Sequence, residues 1–218
     1  MVEAIETLRP ALQAAAESLG LTLSSQEADA LLAYLTLLQR WNATYNLTAV
    51  RDPQQMLTQH LADCLAVIAP LRRHAKSQKT NLLDVGSGGG LPGVVIAALE
   101  PEIEVTCVDT VGKKAAFVRQ ISGELKLKNL HAEHSRVERL ATGPFSVITS
   151  RAFASLAEFV RLTRGLLAPT GVWMAMKGKH PAGELAELPN DIDVFHVEQL
   201  VVPGLGAERC LIWMQPRP

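Results

Sequence analysis

At 218 residues, 48% of them apolar, the chain is long enough to bury a full core within one domain of ordinary size. Three widely spaced cysteines, Cys64, Cys107 and Cys210, without a C-x-x-C pair, argue against a disulfide framework or zinc knuckle and for a reducing compartment. The net charge of −1 is unevenly spread: residues 1 to 70 carry three Lys/Arg against seven Asp/Glu, residues 71 to 180 sixteen against nine, and residues 181 to 218 two against six. The N-terminus carries Glu3 and Glu6 where a leader would be basic, and no run approaches the roughly eighteen apolar residues of a membrane span, so a cytoplasmic protein is expected.

The first seventy residues read as helix. Gly20 ends the first amphipathic run, Ser24-x-x-Glu27 is a capping box for the second, and Asp52-Pro53 supplies an N-cap and a first-turn proline for the third. Trp41 and Tyr45 share a helical spacing that suits packing between helices or, alternatively, stacking on a base. His60 and Asp63 share a helix face without a third metal ligand nearby, and read as polar contacts between these helices and the sheet. Strand-like runs then appear at 81 to 85, 103 to 108, 146 to 150, 171 to 176, 194 to 202 and 210 to 214, with a weaker one at 129 to 133. Helical stretches fall between them at 92 to 99, 113 to 125, 155 to 167 and 181 to 188. The alternation predicts a doubly wound α/β sheet, mostly parallel. Only "PGLGAER" separates the last two strands, too little for a crossover helix, so they form an antiparallel hairpin.

The segment "NLLDVGSGGGLPGVVIAAL" is a buried strand, a glycine-rich turn and a helix start. Gly88, Gly90 and Gly93 satisfy G-x-G-x-x-G, a weak dinucleotide signal on its own. Asp84, at the end of the strand, would repel a pyrophosphate, and no Gly-Lys-Ser/Thr comes after the glycines. The same carboxylate favours a ligand with cationic groups, as in S-adenosylmethionine, approached by the backbone of Gly86, Ser87 and Gly88. Asp109 ends the second strand, where a ribose finds a bidentate acceptor. Val137 and Glu138 come after the third strand, where an adenine edge would rest; Arg136, Glu138 and Arg139 read equally as an exposed turn.

A methyl acceptor is narrowed by what the chain lacks. After the fourth strand, "ITSRAFASL" stands where amine methylation commonly has Asn/Asp-Pro-Pro-aromatic, and the cysteines lie in apolar runs, away from a covalent pyrimidine route. A ring nitrogen such as guanine N7 needs no proton removed before attack, which suits a chain without a conspicuous general base. Arg151 is placed to hold a substrate phosphate or the O6 edge of guanine, or to bridge to Asp84 or Asp109. The middle segment's basic groups at Arg72, Arg73, Lys76 and Lys79, at Lys113 and Lys114, with Arg136, and at Lys177 and Lys179, suit a polyanion such as RNA or simply solvate the surface.

The stretches "RWNATYNLTAV", "QHLADCLAV", "LLDVGSGGGLPGVVIA", "DTVGKKAAFVRQ", "SRVE", "TSRAFASL" and "MKGKHP" together resemble the RsmG/GidB family of 16S ribosomal RNA guanine-N7 methyltransferases, in the family's order and over nearly the whole chain. The resemblance implies a class I methyltransferase fold over residues 76 to 218, with a helical extension over residues 1 to 75. It also implies methyl transfer from S-adenosylmethionine to N7 of a guanine in the decoding-region loop of small-subunit rRNA, naked or in the assembled particle. By that similarity Gly86, Leu91, Val137, Glu138 and Arg151 fall on cofactor-binding positions, which moves Arg151 towards the cofactor carboxylate. Cys64 departs from the serine usual in the family's His-x-x-Asp-Ser-Leu segment. The expected site is Asp84, Gly86, Ser87, Gly88, Leu91, Asp109, Val137, Glu138 and Arg151 for cofactor, Lys113, Lys114, Arg136, Lys177 and Lys179 for RNA, and no metal, in a monomer. A small-molecule methyltransferase and a non-catalytic nucleotide-binding module are the alternatives.

Overall fold

Each boundary in the helical segment has a local cause. Helix α1 (Arg9–Ser18) ends as Gly20, at φ +72°, turns its N–H back to the Glu17 carbonyl. Helix α2 (Ser25–Tyr45) starts on the expected capping box: Ser24 Oγ accepts from Glu27 N at 3.2 Å and Glu27 Oε2 from Ser24 N at 2.7 Å. Asp52 Oδ1 caps Gln55 N at 2.9 Å and opens α3, which runs through Pro53–Met56, a π-helical turn Leu57–Ala62 and Asp63–Leu65. That wide turn was not legible in the apolar spacing. Helix α4 (Ile68–His74) is next in the chain.

The computed structural model describes residues 5–75, 80–151, 153 and 155–217. Lys76 and Lys79, and with them the expected boundary between residues 75 and 76, lie outside the described residues.

Seven strands form one sheet: β1 (Asn81–Val85), β2 (Glu104–Asp109), β3 (Leu130–His134), β4 (Phe145–Ser150), β5 (Leu167–Lys177), β6 (Ile192–Leu200) and β7 (Arg209–Pro216), in the order β3-β2-β1-β4-β5-β7-β6. The first five are parallel, and β7 runs antiparallel to both β5 and β6, as the short connection requires. Helices α5 (Gly93–Leu99), α6 (Gly112–Glu124), α7 (Leu156–Thr163) and α8 (Ala182–Ala186) fill the connections. Helix α7 stops at Thr163, four residues before its expected end; a 3₁₀ turn over Arg164–Leu166, containing Gly165, leads into a longer β5.

The two-residue period of the strands sorts side chains to opposite faces. Leu82, Val105 and Val147 join one apolar cluster with Leu12, Leu31 and Leu35 of the first helices, whereas Leu83, Val108 and Ile148 join another with Leu156 and Phe159 of α7. The N-terminal helices therefore share the core on one side of the sheet. Each fully buried leucine there is worth about 2 kcal/mol. Trp41 is part of this packing: its ring lies 5.4 Å from that of Phe117 in α6, and its Nε1 donates to Gln120 Oε1 at 3.0 Å.

Candidate active site

In an open parallel sheet the strand ends form the ligand rim, and a glycine-rich loop leaves β1 there. The N–H groups of Gly86 and Ser87 donate to the Val108 carbonyl of β2, and Tyr34 of α2 donates its hydroxyl to the Gly89 carbonyl at 2.9 Å. Gly88 sits at φ +59° with nothing within 4 Å of where its Cβ would stand, so a side chain would project into open space left by the backbone. At Gly93 the constraint is contact: a Cβ would overlap Cys107 Sγ and crowd the Asp84 carboxylate.

Asp84 lies beneath this loop rather than in it. It is fully buried, its Oδ2 accepts from Gly93 N at 2.8 Å, and among the described residues Oδ1 has no hydrogen-bond partner. Burial pushes its carboxyl up to about 7. Asp109 stands at the tip of β2 with Oδ2 accepting from Gly88 N at 3.0 Å and Oδ1 from Val111 N at 2.8 Å; Lys114 Nζ is 3.9 Å away.

Two cavities meet at Gly86. The smaller, about 200 Å³, is lined by Val85, Gly86, Asp109, Ser135, Val137 and Glu138 among others. The larger, about 450 Å³, is bounded by Gly86, Ser87, Gly88, Gly89 and Leu91 on one side and by Thr48, Gln59, His60 and Asp63 of the N-terminal segment on another. Arg151, Lys177 and Arg209 complete its polar wall. Gly86, Ser87, Gly88 and Leu91 thus line the larger space and Asp109, Val137 and Glu138 the smaller, whereas Asp84 lines neither.

Arg151 pairs with a carboxylate that was not expected. Its partner is Asp63 of α3, not Asp84 or Asp109: Nη1 donates to Asp63 Oδ2 at 3.0 Å and to the Gln59 carbonyl at 3.2 Å. Asp63 Oδ1 accepts from Arg209 Nε at 2.8 Å, so one buried carboxylate holds two guanidinium groups at the cavity wall. Arg209 begins β7, and an antiparallel strand brings its start, not its end, to the ligand rim. Reading only the ends of parallel strands misses it. His60 also lines the cavity, its Nε2 3.0 Å from Thr48 Oγ1 and its Nδ1 without a hydrogen-bond partner among the described residues. Burial, helped by Arg151, draws its pKa down to about 4, which keeps the ring neutral at neutral pH. The expectation that His60 and Asp63 tie the helices to the sheet holds for Asp63; His60 bonds within the helical segment.

The candidate RNA cations differ in availability. Lys113, Arg136 and Lys179 are exposed, and Lys114 leans towards Asp109. Lys177 stands in the cavity wall, but its ammonium is already engaged by protein partners, 2.8 Å from Glu184 Oε2 and 3.1 Å from the Phe153 carbonyl. Cys64, Cys107 and Cys210 are buried free thiols; burial pushes Cys64 up to about 12 and Cys107 well above its ordinary value. Among the described residues no group of acidic, histidine or cysteine side chains could hold a metal, and no helix is long and apolar enough to cross a membrane.

Relatives of known name share nearly the whole chain. A ribosomal RNA small subunit methyltransferase G from Leptothrix cholodnii is 67% identical over 96% of each chain, and one of the same name from Acidovorax ebreus is 59% identical over 96% of each. The solved Burkholderia thailandensis 1,6-didemethyltoxoflavin-N1-methyltransferase, with bound S-adenosylhomocysteine, matches at a TM-score of 0.56 and 17% identity, covering 85% of this chain and 90% of its own; that likeness shows the fold. The family model described as GidB, rRNA small subunit methyltransferase G, matches residues 27–212. The chain belongs to the GidB family.

Proposed function

We propose that this protein transfers a methyl group from S-adenosylmethionine to N7 of a guanine in the decoding-region loop of 16S ribosomal RNA. The observation that carries the choice of atom is the state of the larger cavity's acid–base groups. Among the described residues its one lining carboxylate, Asp63, is occupied by Arg151 and Arg209, and its histidine is neutral. Such a wall offers no free anionic base, and N7 needs none: its lone pair lies in the base plane, and no proton leaves before attack. The neutral His60 ring also adds no charge to oppose the positive charge that the purine gains.

The cavity fits the cofactor at the loop, where Gly88 leaves open space that a Cβ would fill. When bound, S-adenosylmethionine supplies an electrophilic methyl group on a sulfonium. The backbone of Gly86, Ser87 and Gly88 with Leu91 would flank it, Asp109 would accept from the ribose, and Val137 and Glu138 would border the adenine. Arg151 would meet its carboxylate while Asp63 fixes the guanidinium's direction. Asp84 acts through the loop, by fixing the Gly93 N–H at the start of α5. Lys113, Lys114, Arg136 and Lys179 would approach RNA phosphates, with Lys177 bracing the wall. The helices before residue 75 would serve as an extension packed on a methyltransferase domain. Ribosomal RNA from cells lacking the gene, compared with the same cells carrying it, tests the reading: one 7-methylguanosine present only with the gene supports it, and an unchanged modification pattern overturns it.

A further inference from the structure

A third cavity, about 280 Å³, opens between α2 and the start of α3 and is lined by Thr36, Arg40, Asn42, Ala43, Arg51 and Met56, with Gln39. The interior is chiefly apolar: Met56 is fully buried, and the Ala43 methyl stands at the wall. Its polar edge is unusual for this part of the chain. Residues 1 to 70 hold only three basic side chains against seven acidic ones. Arg9 is paired with Glu6 and Asp29, whereas the other two, Arg40 and Arg51, both stand on this cavity. Among the described residues neither makes an ion pair, and Arg51 donates to the Asn46 side-chain amide at 3.0 Å.

The cavity adjoins the candidate active site through one short loop. Asn42 Oδ1 accepts from Thr48 N at 2.9 Å and Asn42 Nδ2 donates to the Val50 carbonyl at 3.3 Å, so the loop between α2 and α3 is pinned from the side of this cavity. Thr48 of the same loop lines the larger cavity and meets His60. An apolar slot edged by two guanidinium groups that pair with no carboxylate among the described residues suits a flat base joined to a phosphate, because arginine pairs with phosphate in fixed fork geometry while the base sheds water against the slot.

We propose that this cavity is a nucleotide subsite that seats one base of the RNA strand beside the target guanine, with its phosphate on Arg40 and Arg51. The assignment rests on the rRNA reading above and deepens it. The helical segment then contributes substrate contacts as well as packing.

Two variants of the full chain test it against protein-free 16S rRNA and small-subunit particles from cells lacking the protein. Arg40→Gln/Arg51→Gln should weaken RNA binding at least tenfold and lower the slope of log affinity against log salt by about 0.7 to 0.9 per lost phosphate contact. Ala43→Trp, which fills the slot without changing charge, should weaken binding with the slope unchanged. Affinity for S-adenosylmethionine and the melting temperature should match the wild type in both. Unchanged RNA affinity in both variants, with a wild type that methylates the RNA, overturns the subsite alone. A reduced slope in the arginine variant with no effect of Ala43→Trp also overturns it, leaving a surface phosphate contact. A wild type that binds S-adenosylmethionine but neither binds nor methylates the RNA overturns the underlying functional reading instead.

Discussion

Asp84 and His60 are both buried near Arg151 and carry opposite consequences for stability. Asp84 has its pKa raised from the ordinary 3.8 to about 7, so the stability it contributes is full below pH 4 and lost as pH rises to 7, roughly 4 kcal/mol. His60 is lowered from 6.5 to about 4, so its contribution is full above pH 6.5 and lost as pH falls to 4, roughly 3 kcal/mol. The two windows oppose each other and flatten the wild-type profile. Denaturant titration of Asp84→Asn from pH 4 to 8 should show the variant gaining on the wild type by several kcal/mol as pH rises; parallel curves would contradict the buried, partnerless oxygen. At Asp63, replacement by Asn leaves two guanidinium groups at a buried site without their carboxylate, and should cost about 3 kcal/mol and weaken S-adenosylmethionine binding about tenfold. Unchanged melting and calorimetric affinity would remove its positioning role. The places of the loop glycines and Asp109 in the fold were legible because their signals are local: the glycines cluster between residues 86 and 93, and Asp109 closes the next apolar run. Asp63, Arg151 and Arg209 were not legible as a group, because the contacts span 88 and 146 residues. No periodicity reports on such pairs.

Glycines in two helices show how an element's context decides the effect of one methyl group. Gly93 opens α5 against Cys107 and Asp84, so Gly93→Ala should destabilise by about 2 kcal/mol through overpacking and displace the loop. Gly123 in α6 faces open space at ordinary φ, and Gly123→Ala should stabilise by about 0.5 kcal/mol by restricting the unfolded chain. Urea titration of the pair checks both signs, and the same sign in both variants would contradict the packing described. Strand positions, the closing hairpin, and one helix end and two helix starts in the first seventy residues came from alternation, connection length, Gly20 and capping residues. The π-helical turn at Leu57–Ala62 and the early end of α7 did not: apolar spacing does not register the wider turn, and α7 gives way to a 3₁₀ turn at Gly165, inside the run read as helix.

At the scale of the whole molecule, the helices and the sheet share one core. Leucines of α1 and α2 join a cluster with Leu82, Val105 and Val147 of the sheet, and the Tyr34 hydroxyl fastens the glycine loop from the far side. Unfolding should therefore be a single transition, with the curves from tryptophan fluorescence, which includes Trp41 of the helical segment and Trp173 and Trp213 of the sheet, and from far-ultraviolet circular dichroism superimposing. Separate transitions would mean that the helices are a detachable extension. The uneven charge is also visible at this scale: the basic middle segment supplies exposed Lys113, Arg136 and Lys179, and most of its other described cations are exposed as well, whereas Arg151 and Lys177 are paired with Asp63 and Glu184.

The most direct test of the function is methyl transfer from radiolabelled S-adenosylmethionine to small-subunit particles and to their protein-free rRNA, both from cells lacking this protein, with the labelled nucleoside identified. Label in 7-methylguanosine at one position is the predicted result. Label in another nucleoside, or none in either substrate with cofactor binding intact, would contradict the proposed function.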